Sequence, residues 1–159
     1  MKVVWMIRPA AGGIKEHLTH LRNGLKEEYE IIICGPADLA EWAEGFQFYP
    51  IDIVDGINLR KDLKAIWQLK SVLRAAKPRL VHIHGLKSVM IGVPAAKLSG
   101  GSRLLFTAHN CLPQPQSRWY GVTHGLVNRR MLRSLDRIIA VSDAVGSELM
   151  EFVPYQRIV

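Results

Sequence analysis

Several features that would mark common protein classes are missing from this sequence of 159 residues. It contains only two cysteines, Cys34 and Cys111, and they show neither a CxxC motif nor the spacing of metal ligands. No apolar run approaches the roughly 20 residues of a membrane-spanning helix, and the apolar start of the chain is too short for a signal peptide. We therefore expect one globular domain in a reducing, cytoplasmic compartment, with Cys34 as a buried thiol, and with the inner face of the membrane as an alternative peripheral location.

Acidic side chains are also scarce, with 14 Asp and Glu against 21 Lys and Arg, for a net charge of +7. This excess favours an anionic partner such as a phosphate, an anionic lipid or a nucleic acid, although solvated surface lysines would account for it equally well. No helix-turn-helix, zinc-finger or RNP-like pattern supports nucleic-acid binding. The GxGxxG, GK[ST] and G-x-S-x-G motifs are absent too, which argues against the common dinucleotide, P-loop and hydrolase sites.

Short apolar runs alternate with stretches of helical periodicity along the whole chain. The predicted strands cover residues 3–7, 29–34, 46–51, 80–84, 104–108 and 137–141. The predicted helices cover residues 14–25, 37–43, 59–76, 88–98, a segment that follows the loop 110–117 and ends at 135, and 144–152. This alternation predicts an α/β fold, a Rossmann-like doubly wound and mainly parallel sheet flanked by helices, in which ligands bind beyond the carboxyl ends of the strands.

Glycine and histidine residues follow several of the predicted strands. Gly12 and Gly13 come between the first strand and its helix, where free N–H groups suit a phosphate, although a plain strand-to-helix turn is the simpler interpretation. His82 and His84 alternate onto one face of a strand, and no carboxylate or cysteine accompanies them to indicate a metal. His109 stands where a buried strand meets a long loop, either to bind a sugar hydroxyl and handle a proton or only to cap the loop.

Four segments of the chain resemble glycosyltransferase family 4, the group 1 enzymes of GT-B fold, in the order in which they occur there. Residues 12–18, GGIKEHL, are similar to the family's glycine loop and following helix. Residues 79–85, RLVHIHG, resemble its "DVVHxHG" strand, and residues 107–110, TAHN, resemble "TxHG" with Asn110 in place of a small residue. Residues 136–145, DRIIAVSDAV, are similar to "ADRVIAVSEAV". The resemblance covers nearly the whole chain and implies a GT-B N-terminal domain over residues 1–159.

The resemblance also implies roles for individual residues. It places the backbone of Gly12 and Gly13 opposite the diphosphate of a nucleotide-sugar donor and His109, as the catalytic residue, beside the transferred sugar. It places three residues on the side of a sugar or lipid-linked acceptor: His17, Asn110 and Trp119. It further implies transfer with retention of anomeric configuration and without a metal or other cofactor.

The resemblance implies a second domain that this sequence does not contain. The family's C-terminal domain binds most of the nucleotide sugar and carries an E-x7-E motif, which is absent here. We therefore expect these 159 residues to be an excised or natural acceptor-side half that is inactive alone, because a cleft needs both walls to exclude water. The alternative is a stand-alone binding module for a phosphorylated ligand or an anionic lipid.

The helix over residues 59–76 carries an unusual concentration of positive charge. Its members Arg60, Lys61 and Lys64, together with Trp67, are candidates for contact with an anionic membrane surface. The other interpretation is that these charges lie on a solvated helix face while apolar residues of the same helix pack it on the sheet. Those apolar residues are Leu59, Leu63, Ile66, Leu69 and Leu73.

Overall fold

The computed structural model describes residues 1–8, 13–54, 56–110 and 127–159. The strands are β1 (Lys2–Ile7), β2 (Glu30–Gly35), β3 (Gln47–Pro50), β4 (Leu80–His84), β5 (Arg103–Ala108) and β6 (Arg137–Ala140). The helices are α1 (Gly13–Leu25), α2 (Leu59–Ala76), α3 (Leu86–Ser99), α4, described over residues 127–132, and α5 (Asp143–Leu149). Two short 3₁₀ helices cover Ala37–Leu39 and Tyr155–Arg157.

The six strands form one sheet in the order β3-β2-β1-β4-β5-β6, and every pair is parallel. The first strand lies inside the sheet, where Val3 pairs with Ile31 on one side and with Leu80 on the other. Strand order therefore reverses direction at β1, as in a doubly wound sheet. The predicted Rossmann-like α/β class is confirmed, and all strands end at one edge, which we call the carboxyl edge.

Alternate residues of the strands build two apolar cores, one on each face of the sheet. One core joins Val4 and Met6 of β1 to α2 and α3, and it extends to Leu132 of α4 and Leu149 of α5. The other core joins Trp5 of β1 to α1 and to the turn that follows β2. Among the described residues, four helices thus cover one face, whereas α1 is the helix that covers the other.

Several element boundaries differ from the sequence prediction. Within residues 37–43 only the 3₁₀ turn Ala37–Leu39 is helical, because Pro36 precedes it and turns follow. The described part of α4 ends at 132 rather than 135, and α5 ends at Leu149 rather than 152. Helix α2 begins and ends as predicted, with the Asn58 side chain accepting a hydrogen bond from the Lys61 N–H and with Lys77 in the left-handed conformation after its last residue.

The prediction that five apolar residues pack α2 on the sheet is only partly correct. Leu69 and Leu73 are buried, and Ile66 is partly buried against the same core. Leu59 is 75% exposed and Leu63 is 56% exposed. At 100° per residue these five positions spread over about 120° of the helix circumference, so the face that packs on the sheet does not include all of them.

Candidate functional site

The carboxyl edge brings together the ends of three adjacent strands. Strands β1, β4 and β5 lie side by side, so Arg8, Gly85 and His109, which directly follow them, share one region of the edge. Helix α1 begins at Gly13, after the end of β1, and it carries His17 one turn further on. The sheet topology thus places Gly13 and the predicted histidine on the same side of the molecule.

Four imidazole rings form a continuous series at this edge, which we call the histidine cluster: His17, His82, His84 and His109. The rings of His82 and His84 have centroids 4.0 Å apart. The ring of His109 lies 5.6 Å from that of His84, stacked on it, and 5.4 Å from that of His17. Trp5 closes the base of the series, with its ring 5.5 Å from that of His84. The cluster therefore runs from the buried sheet face to the exposed side of α1.

Hydrogen bonds fix the deeper rings. His82 Nε2 and Thr107 Oγ1 are 2.8 Å apart and both side chains are buried. His84 Nδ1 and His109 Nε2 are 3.3 Å apart, which joins the buried ring of β4 to the half-buried ring that follows β5. Such contacts hold the orientation of each imidazole, so the position of His109 depends on His84.

Burial makes three of these rings neutral at physiological pH. It lowers the pKa of His82 to about 3 and holds the pKa of His84 well below its ordinary value of 6.5, with the neighbouring imidazoles acting in the same direction. Burial, followed by the charges of His17 and Arg8, lowers the pKa of His109 to about 4. In this state His109 is a hydrogen-bonding group near neutral pH and carries no charge.

The position of the proton on His84 follows from its environment. His84 is 1% exposed, and its Nε2 atom has no hydrogen-bond partner among the described residues. A buried N–H without an acceptor costs more than a buried lone pair without a donor, so we infer that the proton of His84 is on Nδ1. His84 then donates to His109 Nε2, and the remaining proton of His109 is on Nδ1.

Arg8 contributes positive charge beside the cluster. Its side chain lies across Gly85, where an added Cβ would be 2.6 Å from Arg8 Cδ. Gly85 also has φ of +85°, a conformation that side chains rarely adopt, and this backbone conformation is what favours glycine there. The half-buried guanidinium and the imidazoles make this edge suited to a ligand that is both anionic and rich in hydroxyl groups.

A cavity of about 270 Å³ lies on the α1 side of the sheet, next to the cluster. His17, His82 and Thr107 contribute polar atoms to its lining. The rest of the lining is largely apolar and includes Val3, Trp5, Leu21, Leu105 and Ile139. A ligand in this cavity would place its apolar part on the sheet and its polar end at the histidines.

The structure places the predicted site residues as follows. Gly13 is the first residue of α1, and a Cβ added there would meet no atom of the described residues within 4 Å. His17 is exposed, His109 is half-buried and Asn110 is exposed directly after it. Gly12 and Trp119 lie outside the described residues. The membrane-contact candidates are exposed on α2, which covers the other face of the sheet: Arg60, Lys61, Lys64 and Trp67.

Sequence reasoning missed three contributors to this edge. Strand alternation places His82 and His84 on one side of β4, but the sequence did not identify Thr107 of β5 as the hydrogen-bond partner of His82. Arg8 was not among the predicted site residues. No signal in the sequence pointed to the buried ion pair between Lys87 and Asp62, in which Lys87 Nζ lies 2.7 Å from Asp62 Oδ1. That pair ties the start of α2 to the start of α3, just after Gly85.

The described part of the chain also bears on metal binding, membrane spanning and thiol chemistry. Within residues 1–8, 13–54, 56–110 and 127–159, no group of three or more His, Cys, Asp or Glu side chains is arranged to hold a metal ion. Over the same ranges, no helix combines the length and the apolar character needed to cross a bilayer. Cys34 is buried in β2, and burial raises the pKa of its thiol to about 12, so it is an inert core residue, as expected.

Comparison with known proteins gives one family and a large set of similar folds. The sequence profile of Glycosyltransferase Family 4 matches residues 11–159. A search among curated proteins finds no significant match. Among solved structures, the apo form of the lipopolysaccharide outer core galactosyltransferase WaaB superposes with a TM-score of 0.75 at 15% identity, covering 100% of this chain and 44% of that one.

Two other solved structures show how widely this fold is used. Anabaena Alr3699/HepE in complex with UDP and glucose has a TM-score of 0.77 at 12% identity, over 100% of this chain and 43% of that one. The UDP-GlcNAc 2-epimerase from Methanocaldococcus jannaschii has a TM-score of 0.69 at 16% identity, over 100% of this chain and 45% of that one. The chain thus spans less than half the length of these proteins, and it has the Rossmann-like fold of GT-B N-terminal domains.

Proposed function

Since this chain belongs to glycosyltransferase family 4, we propose that it forms the acceptor-side half of an enzyme that transfers a hexosyl group from a nucleotide sugar to a sugar or lipid-linked acceptor. The observation that carries the proposal is the meeting of His17, His84, His109 and Arg8 at the carboxyl edge of a parallel sheet. In open α/β sheets this edge is where ligands bind.

The neutral state of His109 defines the role that we assign to it. With its Nε2 engaged by His84, its Nδ1–H donates a hydrogen bond to a hydroxyl of the transferred sugar. A hydrogen bond aimed at the reacting sugar orients it and stabilises charge that develops in the transition state. We assign the catalytic contact to His109, and we treat His84 as a positioning residue because it acts through His109.

The donor phosphates and the acceptor occupy the two flanks of His109 in this proposal. Gly12 and Gly13 face the diphosphate in this proposal, because α1 begins at Gly13 and the first N–H groups of a helix suit a phosphate, and Arg8 adds positive charge nearby. The acceptor lies toward His17, Asn110 and Trp119. Transfer proceeds with retention and without a metal, and no side chain of this half serves as a nucleophile.

A second, C-terminal domain completes the site in this proposal. It supplies most of the contacts to the nucleotide, because the carboxyl edge described here provides one wall of a cleft and reaction needs both walls to exclude water. The 159-residue chain alone therefore binds a nucleotide sugar weakly and does not turn over. The location that suits this enzyme is cytoplasmic, peripheral to the inner face of a membrane.

The test is a transfer assay on the full-length protein with His109→Ala. The donor is first identified by screening nucleotide sugars for acceptor-dependent release of nucleotide. We expect the variant to lower kcat by about 10²- to 10³-fold, as for the loss of one transition-state hydrogen bond and its positioning. Thermal stability should change by no more than about 1 kcal/mol because the side chain is only half-buried.

His20→Ala is the matched control, since His20 lies on α1 three residues after His17 and its side chain is 78% exposed. It should retain parental kcat and KM. Near-parental turnover of His109→Ala, with the control unchanged, would remove His109 from the site. Release of an epimerised sugar without any acceptor would instead assign the full-length protein to epimerase chemistry.

The alternative function is a stand-alone module that binds a phosphorylated ligand or an anionic lipid, which the positive charge of the carboxyl edge also suits. Ligand-observed NMR with the 159-residue chain separates the two proposals. Submillimolar binding of a nucleotide sugar or sugar phosphate by the chain alone would favour the module. Weak binding that strengthens strongly in the full-length protein would favour the transferase.

A further inference from the structure

Helix α2 exposes a line of large apolar side chains to solvent. Leu59, Leu63 and Trp67 follow one another at intervals of four residues, which places them on neighbouring turns of one side of the helix. They are 75%, 56% and 57% exposed, and Ile57, just before the helix, is 55% exposed. We call these four residues the apolar stripe. Single exposed apolar residues are common, whereas an aligned set marks a contact surface.

Positive side chains flank the apolar stripe. Arg60 and Lys64 lie next to Leu59 and Leu63 in the sequence and are exposed. Lys70 turns back over the stripe, with its Nζ atom 3.8 Å from the centre of the Trp67 ring. An ammonium held on an indole face keeps its charge at the surface while its stem adds apolar cover.

The only carboxylate of α2 is turned away from this surface. Asp62 accepts hydrogen bonds from Lys87 Nζ at 2.7 and 2.8 Å and from the Asn58 N–H at 3.2 Å. Its side chain is 16% exposed. The exposed side of α2 therefore presents cations and apolar groups without an acidic neighbour from the same helix.

This combination identifies the chemistry of the partner. An anionic lipid surface attracts the cations, accepts the indole at the level of the headgroups and buries leucine side chains at the acyl boundary. A second copy of the chain would bring like charges together around the apolar stripe, which opposes association. A nucleic acid would use the cations and leave three aliphatic side chains without a partner.

We propose that α2 lies on the surface of an anionic phospholipid bilayer, with the apolar stripe inserted at the interface and Arg60, Lys64 and Lys70 among the headgroups. The start of α2 is held by the Lys87–Asp62 ion pair beside the start of α3, which follows His84 and Gly85. The contact thus begins at the carboxyl edge. Its use in reaching a lipid-linked acceptor rests on the proposed function, whereas the contact itself does not.

The test is co-sedimentation of the 159-residue chain with vesicles, which needs no transfer activity and so stands or falls separately from the proposed function. Vesicles of phosphatidylglycerol and phosphatidylcholine are compared with vesicles of phosphatidylcholine alone. We expect a partition coefficient at least about tenfold higher on the anionic vesicles, and a fall toward the neutral value as NaCl is raised well above physiological strength.

Substitutions separate the apolar from the charged contribution. The variant Leu59→Ser/Leu63→Ser/Trp67→Ser keeps every charge and should lower the partition coefficient on anionic vesicles by at least about tenfold. Lys64→Glu should also lower it. Met150→Ser, an apolar residue that is 47% exposed after α5, and Lys26→Glu, exposed beyond α1 on the opposite face, should leave it unchanged. Circular dichroism confirms that each variant is folded.

Three results would overturn the proposal. One is equal binding, or none, on the two kinds of vesicle. Another is parental binding by the triple serine variant, which would reduce the interaction to loose attraction by charge. The third is a dimer in analytical ultracentrifugation that the triple variant dissociates, since the apolar stripe would then be a contact between copies of the chain.

Discussion

Replacing Lys87 by methionine should destabilise the domain far more than the loss of an ordinary surface charge. Lys87 Nζ donates to both oxygens of Asp62 and to the carbonyl oxygen of Gly56, and its side chain is only 8% exposed. Methionine keeps most of the apolar stem and removes the ammonium. Asp62 is then left as a largely buried carboxylate whose described partner is the Asn58 N–H.

The magnitude follows from the burial of the two partners. Removing one member of a buried ion pair costs about 3–5 kcal/mol, and we expect about 3 kcal/mol here because Asp62 retains some exposure and one hydrogen bond. With a urea m-value of about 2.5 kcal/mol/M for a domain of this size, the unfolding midpoint should fall by roughly 1 M urea. Equilibrium unfolding of the 159-residue chain, followed by circular dichroism, measures this shift.

The same helix provides the control. Lys61 pairs with Asp52 at 3.5 Å, and the two side chains are 48% and 57% exposed, so Lys61→Met should cost about 0.5 kcal/mol or less. In the double variant Lys87→Met/Asp62→Leu no unpaired charge remains, and most of the loss should be recovered. If Lys87→Met and Lys61→Met proved equally mild, the buried pair would not hold the starts of α2 and α3 together.

Three other predictions follow from single residues. Well above pH 6.5 the ring of His82 is neutral in both the folded and the unfolded chain, whereas between pH 6.5 and about 3 the unfolded chain alone takes up the proton. The free energy of unfolding should therefore drop by about 2 kcal/mol from this residue between about pH 7 and pH 5, and in His82→Gln the urea-unfolding midpoint should depend correspondingly less on pH. Gly85→Ala should destabilise by about 2 kcal/mol because of its φ of +85°, whereas Gly24→Ala, whose added Cβ would meet no described atom within 4 Å, should stabilise by up to about 1 kcal/mol in the same assay. Gly13→Ala in the full-length protein should raise the donor KM roughly tenfold without loss of stability, since its added Cβ would meet no described atom and would project where we place the phosphates; an unchanged KM would contradict that placement.

The sheet and its carboxyl edge were predictable because they follow from periodicity alone. Apolar runs separated by helical stretches require parallel strands, and parallel strands end together, which is why His84 and His109 meet. Strand alternation likewise placed His82 and His84 on one face, as the 4.0 Å between their rings confirms. These features need only the backbone geometry of a strand and the order of the strands.

Contacts that depend on how a helix is rotated and where it overhangs the sheet were not predictable. The approach of His17 to His109 requires the rotation of α1, which no spacing in the sequence reports. The exposure of Leu59 and Leu63 arises because the apolar positions of α2 spread too widely for one packed face. The ion pair of Lys87 and Asp62 joins residues 25 apart, and nothing in the charge pattern distinguishes it from surface charge.

The interior position of β1 also bears on how the protein is made. Strand β1 leaves the ribosome before β4, with which it pairs on one side, so Val3 and Trp5 lack their partners Leu80 and His82 until β4 has been synthesised. Pairing between distant segments is slow, and an apolar strand that lacks its partner is a site for aggregation. Synthesis should therefore pass through a vulnerable stage that ends only when β4 has emerged, and a chaperone that binds extended apolar segments would act during that interval.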